Sequence, residues 1–218
     1  MKTALVFGSS GLVGSHLVRL LNKNSIYEKI KLFVRSTSEI KTSKIEIINT
    51  DFKNLSNHKE DINGDDCFFC IGTTKKNTPD KDEYRRIEYD IPVEIAKIAK
   101  SNSINSFFYV SSGFADAKSS SAYLKNKGQV EEELIKLNFS ILGIMRPSFL
   151  VGNRKEKRPG EEVGIFFFKI FSPLLLGPLK KMRPIQSEKV AKVMIKVANE
   201  NLKKTIFESN EIAELALN

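Results

Sequence analysis

The chain has 218 residues, a net charge of +9 and a hydrophobic fraction of 41%. This fraction is typical of a globular protein, and no window holds the roughly 18 uninterrupted apolar residues of a membrane-spanning helix. The basic residues are spread along the chain, so we expect a solvated basic surface and no nucleic-acid partner. The length predicts one domain over residues 1–218, and the direct start of a strand after Met1-Lys2, without a cleavage pattern, predicts a cytoplasmic protein.

Apolar strands alternate with helical patterns along most of the chain. Strands are predicted at residues 5–8, 29–36, 44–52, 65–72, 104–112, 139–147 and 206–208. Helices are predicted at residues 12–21, 84–101, 121–137 and 187–199, followed by a C-terminal helix. Because parallel strands need crossover connections, the alternation predicts an α/β fold of the Rossmann type: a doubly wound parallel sheet with helices on both faces and a small C-terminal extension.

The pattern loosens after Pro147, and residues 148–186 are predicted to carry the substrate-side elements. Residues 154–162 are charged and contain Pro159-Gly160, which indicates a loop or the start of a helix. The apolar segment at residues 164–179 has several interpretations that the sequence leaves open: core packing, a lid or pocket wall, a homodimer surface, or a contact with a membrane surface.

Cys67 and Cys70 form a Cys-x-x-Cys string inside a predicted buried strand. Residues three apart on a strand point to opposite faces, so this pair is poorly placed to share a metal ion or to form a disulfide. The sequence has no second cysteine pair to complete a zinc site. We therefore expect two core thiols and no metal.

The first predicted strand leads through three glycines, Gly8, Gly11 and Gly14, into the first predicted helix. In a strand–turn–helix unit such glycines permit a tight turn, a close approach of the backbone to a pyrophosphate, and close packing of the helix on the strand. The start of the helix adds unpaired amides and the positive end of its dipole. We therefore expect a dinucleotide phosphate against the turn residues Gly8, Ser10, Gly11, Leu12, Val13 and Gly14.

The second predicted strand ends near Arg35, about 20 residues past the last glycine. In dinucleotide-binding folds an acidic residue at this place binds the free 2′-hydroxyl of the adenosine ribose. Arg35 instead offers planar donors that suit a 2′-phosphate. The sequence therefore favours NADP(H) over NAD(H), the alternative being that Arg35 is simply a solvated strand end.

Tyr123 and Lys127 are four residues apart in a predicted helix and therefore share a face. A lysine ammonium beside a phenol favours the phenolate and lowers the phenol's pKa, which makes the phenol a usable proton donor and acceptor. Ser111 and Ser112 follow a predicted buried strand, at the carboxyl edge of the sheet where open α/β folds bind ligands. A hydroxyl there is a candidate donor to a substrate carbonyl.

Together with the glycine turn, these residues make the chain resemble short-chain dehydrogenases/reductases of the atypical or extended kind. Residues 70–77, 109–131 and 145–161 resemble more narrowly the NAD(P)H-binding oxidoreductase family of the Tat-interacting proteins and their bacterial relatives. The resemblance implies Tyr123 as general acid/base, Lys127 as its activator, and Ser112 as the catalytic serine, with Ser111 as the alternative. It further implies cofactor contacts from Asp51 and Phe52 at the adenine, Gly72 and Thr73 at the ribose and pyrophosphate, Pro147 and Phe149 at the nicotinamide, and Ser111, Tyr123 and Lys127.

The resulting functional prediction is an NADPH-dependent oxidoreductase that reduces a small, partly apolar carbonyl compound. Sugar-nucleotide epimerases share the Ser, Tyr and Lys set but usually add a sizeable substrate domain, whereas this chain has 71 residues after Pro147. Two alternatives stay open: an epimerase-like or dehydratase-like enzyme acting on a nucleoside-diphosphate sugar, and a non-catalytic regulatory protein that senses NADPH.

Overall fold

The computed structural model describes residues 1–36, 42–152, 177–200 and 202–217. The strands of its main sheet are β1 (Lys2–Phe7), β2 (Tyr27–Val34), β3 (Ile45–Asn49), β4 (Asp66–Phe69), β5 (Ser106–Val110), β6 (Ile141–Arg146) and β9 (Ile206–Glu208). They form a seven-stranded sheet in the order β3-β2-β1-β4-β5-β6-β9, and every neighbouring pair is parallel. Two short strands, β7 (Leu150–Val151) and β8 (Ile185–Gln186), pair with each other.

Helices lie in the crossovers between these strands, and a last helix follows β9. They are α1 (Leu12–Lys23), α2 (Lys81–Arg85), α3 (Ile91–Ser101), α4 (Ala122–Lys136), α5 (Ser187–Glu200) and α6 (Ser209–Leu215). A π-helical segment, Arg86–Asp90, connects α2 directly to α3. Short 3₁₀ helices cover Leu55–His58 and Gly177–Met182.

Apolar strand residues alternate between two layers, one on each face of the sheet. One layer joins Phe68 to α1 and α5, and the other joins Phe69 to α3 and α4. Cys67 lies in the second layer and Cys70 packs against the first, and both are free thiols. The two cysteines therefore point to opposite faces, as the period of a strand predicts.

The predicted doubly wound parallel sheet is confirmed, with differences in detail. The strand predicted at residues 65–72 ends at Phe69, and residues 70–72 form the loop that follows it. The helix predicted at residues 84–101 begins earlier, because the Asp80 carboxylate accepts the Glu83 amide (2.8 Å) and caps α2. Residues 154–162 and most of the apolar segment 164–179 lie outside the described residues.

Four central strands end at the same edge of the sheet. Register pairs Phe7 with Phe69, Phe69 with Tyr109, and Tyr109 with Ile144, which aligns the carboxyl ends of β1, β4, β5 and β6. The loops that follow these strands therefore lie side by side. Ligands bind at this kind of edge in open α/β sheets, and the predicted site residues are concentrated there.

Candidate active site

The glycine turn places the start of α1 against the end of β1. Gly8 has φ +90°, and a Cβ on Gly14 would lie 2.1 Å from the Gly8 carbonyl oxygen, so the helix and the turn meet at a distance that a side chain would prevent. Gly11 caps α1 without a side-chain hydrogen bond, and the first turn contains no acidic residue. This turn fits a phosphate group, because its amides and helix dipole are not opposed by a local carboxylate.

The amides at the start of α1 precede the helical hydrogen-bond ladder. The Gly11 amide donates to the Gly8 carbonyl (3.1 Å), and the Ser15 amide donates to the Gly11 carbonyl (2.9 Å). The amides of Leu12, Val13 and Gly14 therefore occupy the positions that an α-helix leaves for an external acceptor. The predicted phosphate contacts, including Ser10 before them, lie together in this turn.

The residues predicted to contact the adenosine part of the dinucleotide follow β2 and β3. Arg35 directly follows β2 and is exposed. Asp51 is exposed, whereas the Phe52 ring packs toward Phe7 with a centroid distance of 6.5 Å. Arg86 holds this turn by donating to the Phe52 carbonyl (2.8 Å). Arg35 and Asp51 thus present their side chains to solvent, while the Phe52 ring contributes to the core.

The loop that carries Ser112 is held on both sides. The Gly113 amide donates to the Pro147 carbonyl (2.7 Å) beyond β6, and the Asp116 amide donates to the Leu124 carbonyl (3.1 Å) in the first turn of α4. The loop approaches α4 so closely that a Cβ on Gly128 would lie 2.2 Å from the backbone of Ala117. These contacts bring the Ser112 loop and the turn of α4 that carries Tyr123 together.

Ser111 and Ser112 have different surroundings. Ser111 is buried, and its hydroxyl donates to Glu131, a carboxylate that also accepts the guanidinium of Arg146 (3.0 Å). Ser112 is half-buried, and its hydroxyl contacts the carbonyl of Gly113 at 3.3 Å. Of the two serines, Ser112 is therefore the more exposed.

Tyr123 and Lys127 differ in exposure although they lie one turn apart on α4. Tyr123 is 36% exposed and Lys127 is 4% exposed. The Lys127 ammonium donates to the Val110 carbonyl (3.2 Å) and lies 4.8 Å from the centroid of the Tyr109 ring. Burial is the largest single influence and opposes the charge of Lys127, but the attractions of Glu88, Tyr109 and Tyr123 together outweigh it, and the pKa of Lys127 is raised well above its usual value.

Glu88 is a site residue that the sequence reasoning missed. It is 1% exposed in the π-helical segment, and its Oε2 lies 3.1 Å from the Lys127 Nζ. Its Oε1 accepts the Thr73 amide (2.6 Å), in the loop predicted to contact the ribose. The available signal was its position four residues after Tyr84 and three before Ile91, both buried, which places a carboxylate on an apolar helical face.

The remaining predicted contacts lie at the same edge of the sheet. A Cβ on Gly72 would lie 3.5 Å from the Glu88 carboxylate. Pro147 is buried at the end of β6, and Phe149 is 53% exposed two residues later. Phe114, two residues after Ser112, is 49% exposed. The rim beside the predicted nicotinamide place is therefore partly aromatic.

The site residues described above lie within the part of the chain that a known family model matches. A family model described as NAD(P)H-binding matches residues 8–201 of the chain. Protein FMP52-1, mitochondrial, from Scheffersomyces stipitis is 31% identical over 98% of this chain and 98% of its own length. Protein HTATIP2 from Rattus norvegicus is 31% identical over 77% of this chain and 70% of its own length. The relative HTATIP2 confirms the resemblance predicted from the sequence.

Solved structures show the same fold at lower identity. The Bordetella bronchiseptica enzyme WbmH, in complex with NAD+, superposes with a TM-score of 0.70 and 15% identity over 99% of this chain and 79% of that chain. Vestitone reductase from alfalfa gives a TM-score of 0.67 and 17% identity over 95% of this chain and 76% of that chain. These identities support the shared fold and nothing finer.

The prediction of a cytoplasmic protein is wrong. FMP52-1 is named a mitochondrial protein, as are the FMP52 proteins of further fungi similar to this chain. The prediction rested on the missing cleavage pattern after Met1, and that pattern reports on secretion and not on other cellular addresses. Within the described ranges, no helix combines the length and the apolar character needed to cross a membrane.

Proposed function

Because the chain belongs to the NAD(P)H-binding family, we propose that it is an NADPH-dependent oxidoreductase that reduces a small, partly apolar carbonyl compound. One observation carries the proposal: the accessible phenol of Tyr123 lies one helical turn from the buried, ion-paired ammonium of Lys127, beside the loop of Ser112. A proton donor, a fixed positive charge and a hydroxyl thus share the edge of the sheet that also carries the glycine turn.

The residues divide the reaction between them. A dinucleotide held by the glycine turn would supply the hydride. The Ser112 hydroxyl donates a hydrogen bond to the substrate's carbonyl oxygen and orients it, and the Tyr123 phenol donates the proton that this oxygen needs. The ammonium of Lys127 stabilises the phenolate left on Tyr123 until solvent returns the proton. A general acid placed in this way contributes a factor of about 10²–10⁴ in rate.

The preference for NADPH rests on Arg35. This residue follows β2 with an exposed side chain, and nothing in its own strand end is acidic. A guanidinium can donate two parallel hydrogen bonds to a 2′-phosphate, whereas a free 2′-hydroxyl calls for a carboxylate acceptor. We therefore propose that Arg35 contacts the 2′-phosphate.

The substrate proposal rests on the aromatic rim of the site. The half-exposed rings of Phe114 and Phe149 flank the Ser112 loop and the end of β6, which favours a substrate with an apolar part.

A panel of aldehydes and ketones, followed through the absorbance of NADPH, tests the proposal. We expect at least one carbonyl compound to be reduced, and we expect Tyr123→Phe to reduce it about 100-fold more slowly, because the proton donor is lost while the ring remains. Tyr89→Phe is the matched control, since Tyr89 lies on the π-helical segment with Arg85 over its ring and outside the proposed proton path.

Two outcomes contradict the proposal. Unchanged turnover in Tyr123→Phe removes the phenol from the chemistry. Tight binding of the dinucleotide without net consumption by any carbonyl compound instead favours an epimerase-like reaction or an NADPH-sensing protein.

A further inference from the structure

Glu88 is a buried carboxylate that the mechanism above does not use. It lies in the π-helical segment Arg86–Asp90, an uncommon geometry that is frequent at functional sites. Its two oxygens contact different parts of the site: Oε1 accepts the Thr73 amide (2.6 Å), and Oε2 lies 3.1 Å from the Lys127 Nζ. One side chain thus connects the loop after β4 with the lysine on α4.

A buried ammonium needs a counterion to keep its proton. Lys127 is 4% exposed, and its other polar contacts are neutral: the Val110 carbonyl at 3.2 Å and the face of the Tyr109 ring. Neutral contacts of this kind do not replace the hydration of a charge, so an unpaired lysine at this depth would lose its proton at a lower pH. Within the described residues, Glu88 is the carboxylate that pairs with Lys127.

Burial keeps three other titratable groups around Lys127 uncharged at neutral pH. Burial raises the pKa of Tyr84 and of Cys70 to about 12, and burial also raises the pKa of Tyr109. They belong to α2, the loop after β4, and β5. With Tyr123 from the same helix, the groups that face Lys127 are Glu88, Tyr84, Cys70, Tyr109 and Tyr123.

We propose that Glu88 is a positioning residue that acts as the buried counterion of Lys127 and ties the charged lysine to the cofactor-facing loop at Thr73. The role in catalysis rests on the proposed function, because it presumes that the charge of Lys127 serves Tyr123. The counterion role itself does not require turnover, so stability and activity test the two parts separately.

Glu88→Gln tests the counterion role through the pH dependence of unfolding. In the wild type Lys127 stays protonated far above neutral pH, so it adds no pH dependence between about pH 7 and 9. In Glu88→Gln the folded-state pKa of Lys127 falls below the unfolded value of about 10.4, and the unfolded chain then binds the extra proton. The equilibrium constant for unfolding of Glu88→Gln, measured in urea, should therefore fall with rising pH by up to about tenfold per pH unit relative to the wild type. The variant thus becomes more stable as the pH rises.

The activity of Glu88→Gln should fall with rising pH over the range in which its stability increases. As Lys127 loses its proton in Glu88→Gln, carbonyl reduction should decline with rising pH in a step that the wild type lacks. Glu94→Gln, which removes an exposed carboxylate on α3, is the matched control and should follow the wild type in both measurements. Glu88→Asp keeps the charge and should restore most of the wild-type pH profile.

The double variant Glu88→Gln/Lys127→Met separates a lost counterion from a packing defect. Removing the stranded amine should abolish the new pH dependence of unfolding, and it should restore folding if Glu88→Gln alone does not fold. The proposal is overturned if Glu88→Gln and the wild type have the same pH dependence of unfolding, or if the double variant keeps the new dependence or fails to recover folding. A pH effect on unfolding with no carbonyl reduction by the wild type would contradict the proposed function alone.

Discussion

Ser111 and Ser112 are adjacent in the chain but are expected to respond differently to the loss of their hydroxyls. Ser112→Ala should slow carbonyl reduction by about 10²-fold, because one donor to the reacting oxygen is lost. Ser111→Ala should instead lower the free energy of unfolding by about 1 kcal/mol, because its hydrogen bond to Glu131 is structural. Steady-state kinetics and urea unfolding of both variants check this division, and the reverse pattern would assign the catalytic hydroxyl to Ser111.

Arg35→Gln tests the choice of cofactor. Losing charge-assisted hydrogen bonds to a 2′-phosphate should weaken NADPH binding by about 1.5–3 kcal/mol, or roughly 10- to 100-fold, while NADH binding stays unchanged. Fluorescence titration of both nucleotides measures this. Arg19→Gln, which removes an exposed arginine paired with Glu188, is the control. Equal losses for both nucleotides, or a wild type that prefers NADH, would contradict the role of Arg35.

At the residue scale, sequence reasoning recognises side chains that are paired by local spacing and misses contacts between distant segments of the chain. The separation of Tyr123 and Lys127 is a local helical pattern, so it was predictable. The different surroundings of Ser111 and Ser112 depend on Glu131, which accepts the Ser111 hydroxyl from α4. Glu88 was missed because its partners, Thr73 and Lys127, lie on two other segments of the chain.

Among the secondary-structure elements, α4, β6 and β9 are joined by a partly buried ionic network. Arg146 on β6 pairs with Glu131 on α4 and with Glu208 on β9 (3.3 Å). The hydrogen bonds that Arg146 donates to Glu131 and Glu208 raise its pKa. The network therefore fixes the helix that carries Tyr123 against the sheet.

Glu131→Gln should destabilise the protein by about 2 kcal/mol, because the half-buried guanidinium of Arg146 loses charge-assisted hydrogen bonds to its main counterion. Glu133→Gln on the same helix removes a partner of the exposed Lys136 and should cost less than about 1 kcal/mol. Urea unfolding of the two variants gives the comparison. Equal losses of stability in the two variants would show that the Arg146–Glu131 pair contributes no more than an exposed ion pair.

Helices and strands in which the apolar pattern repeats over many residues were predictable, and short or irregular elements were not. The strand at residues 206–208 was placed correctly because its apolar centre, Phe207, is flanked by a clear helix on each side. The strands β7 and β8 have two residues each, too few for any period. The π-helical segment keeps the apolar pattern of the helices around it, so no break was visible in the sequence.

For the whole molecule, binding of the dinucleotide should raise thermal stability. A ligand at about 100 times its Kd stabilises the native state by about 2.7 kcal/mol. For a chain of this length that corresponds to a rise in Tm of roughly 5–10 °C. Differential scanning fluorimetry with NADPH measures the shift, with inorganic phosphate at the same concentration as the control. A shift with phosphate as large as that with NADPH would indicate anion binding without recognition of the dinucleotide.

At this scale the sequence predicted the architecture well and the cellular address poorly. Alternating strands and helices restrict the topology, because parallel crossovers are right-handed and short. Cellular localisation does not follow from packing, and the relatives named mitochondrial contradict the predicted cytoplasmic location.

The most direct measurement is a crystal structure with NADP+ and a carbonyl inhibitor. We expect the inhibitor's oxygen within hydrogen-bond distance, about 2.6–3.2 Å, of both the Tyr123 phenol and the Ser112 hydroxyl, with the nicotinamide ring beside it. A nicotinamide ring bound away from Tyr123, with the inhibitor's oxygen held by other groups, would contradict the assignment of Tyr123 as the proton donor.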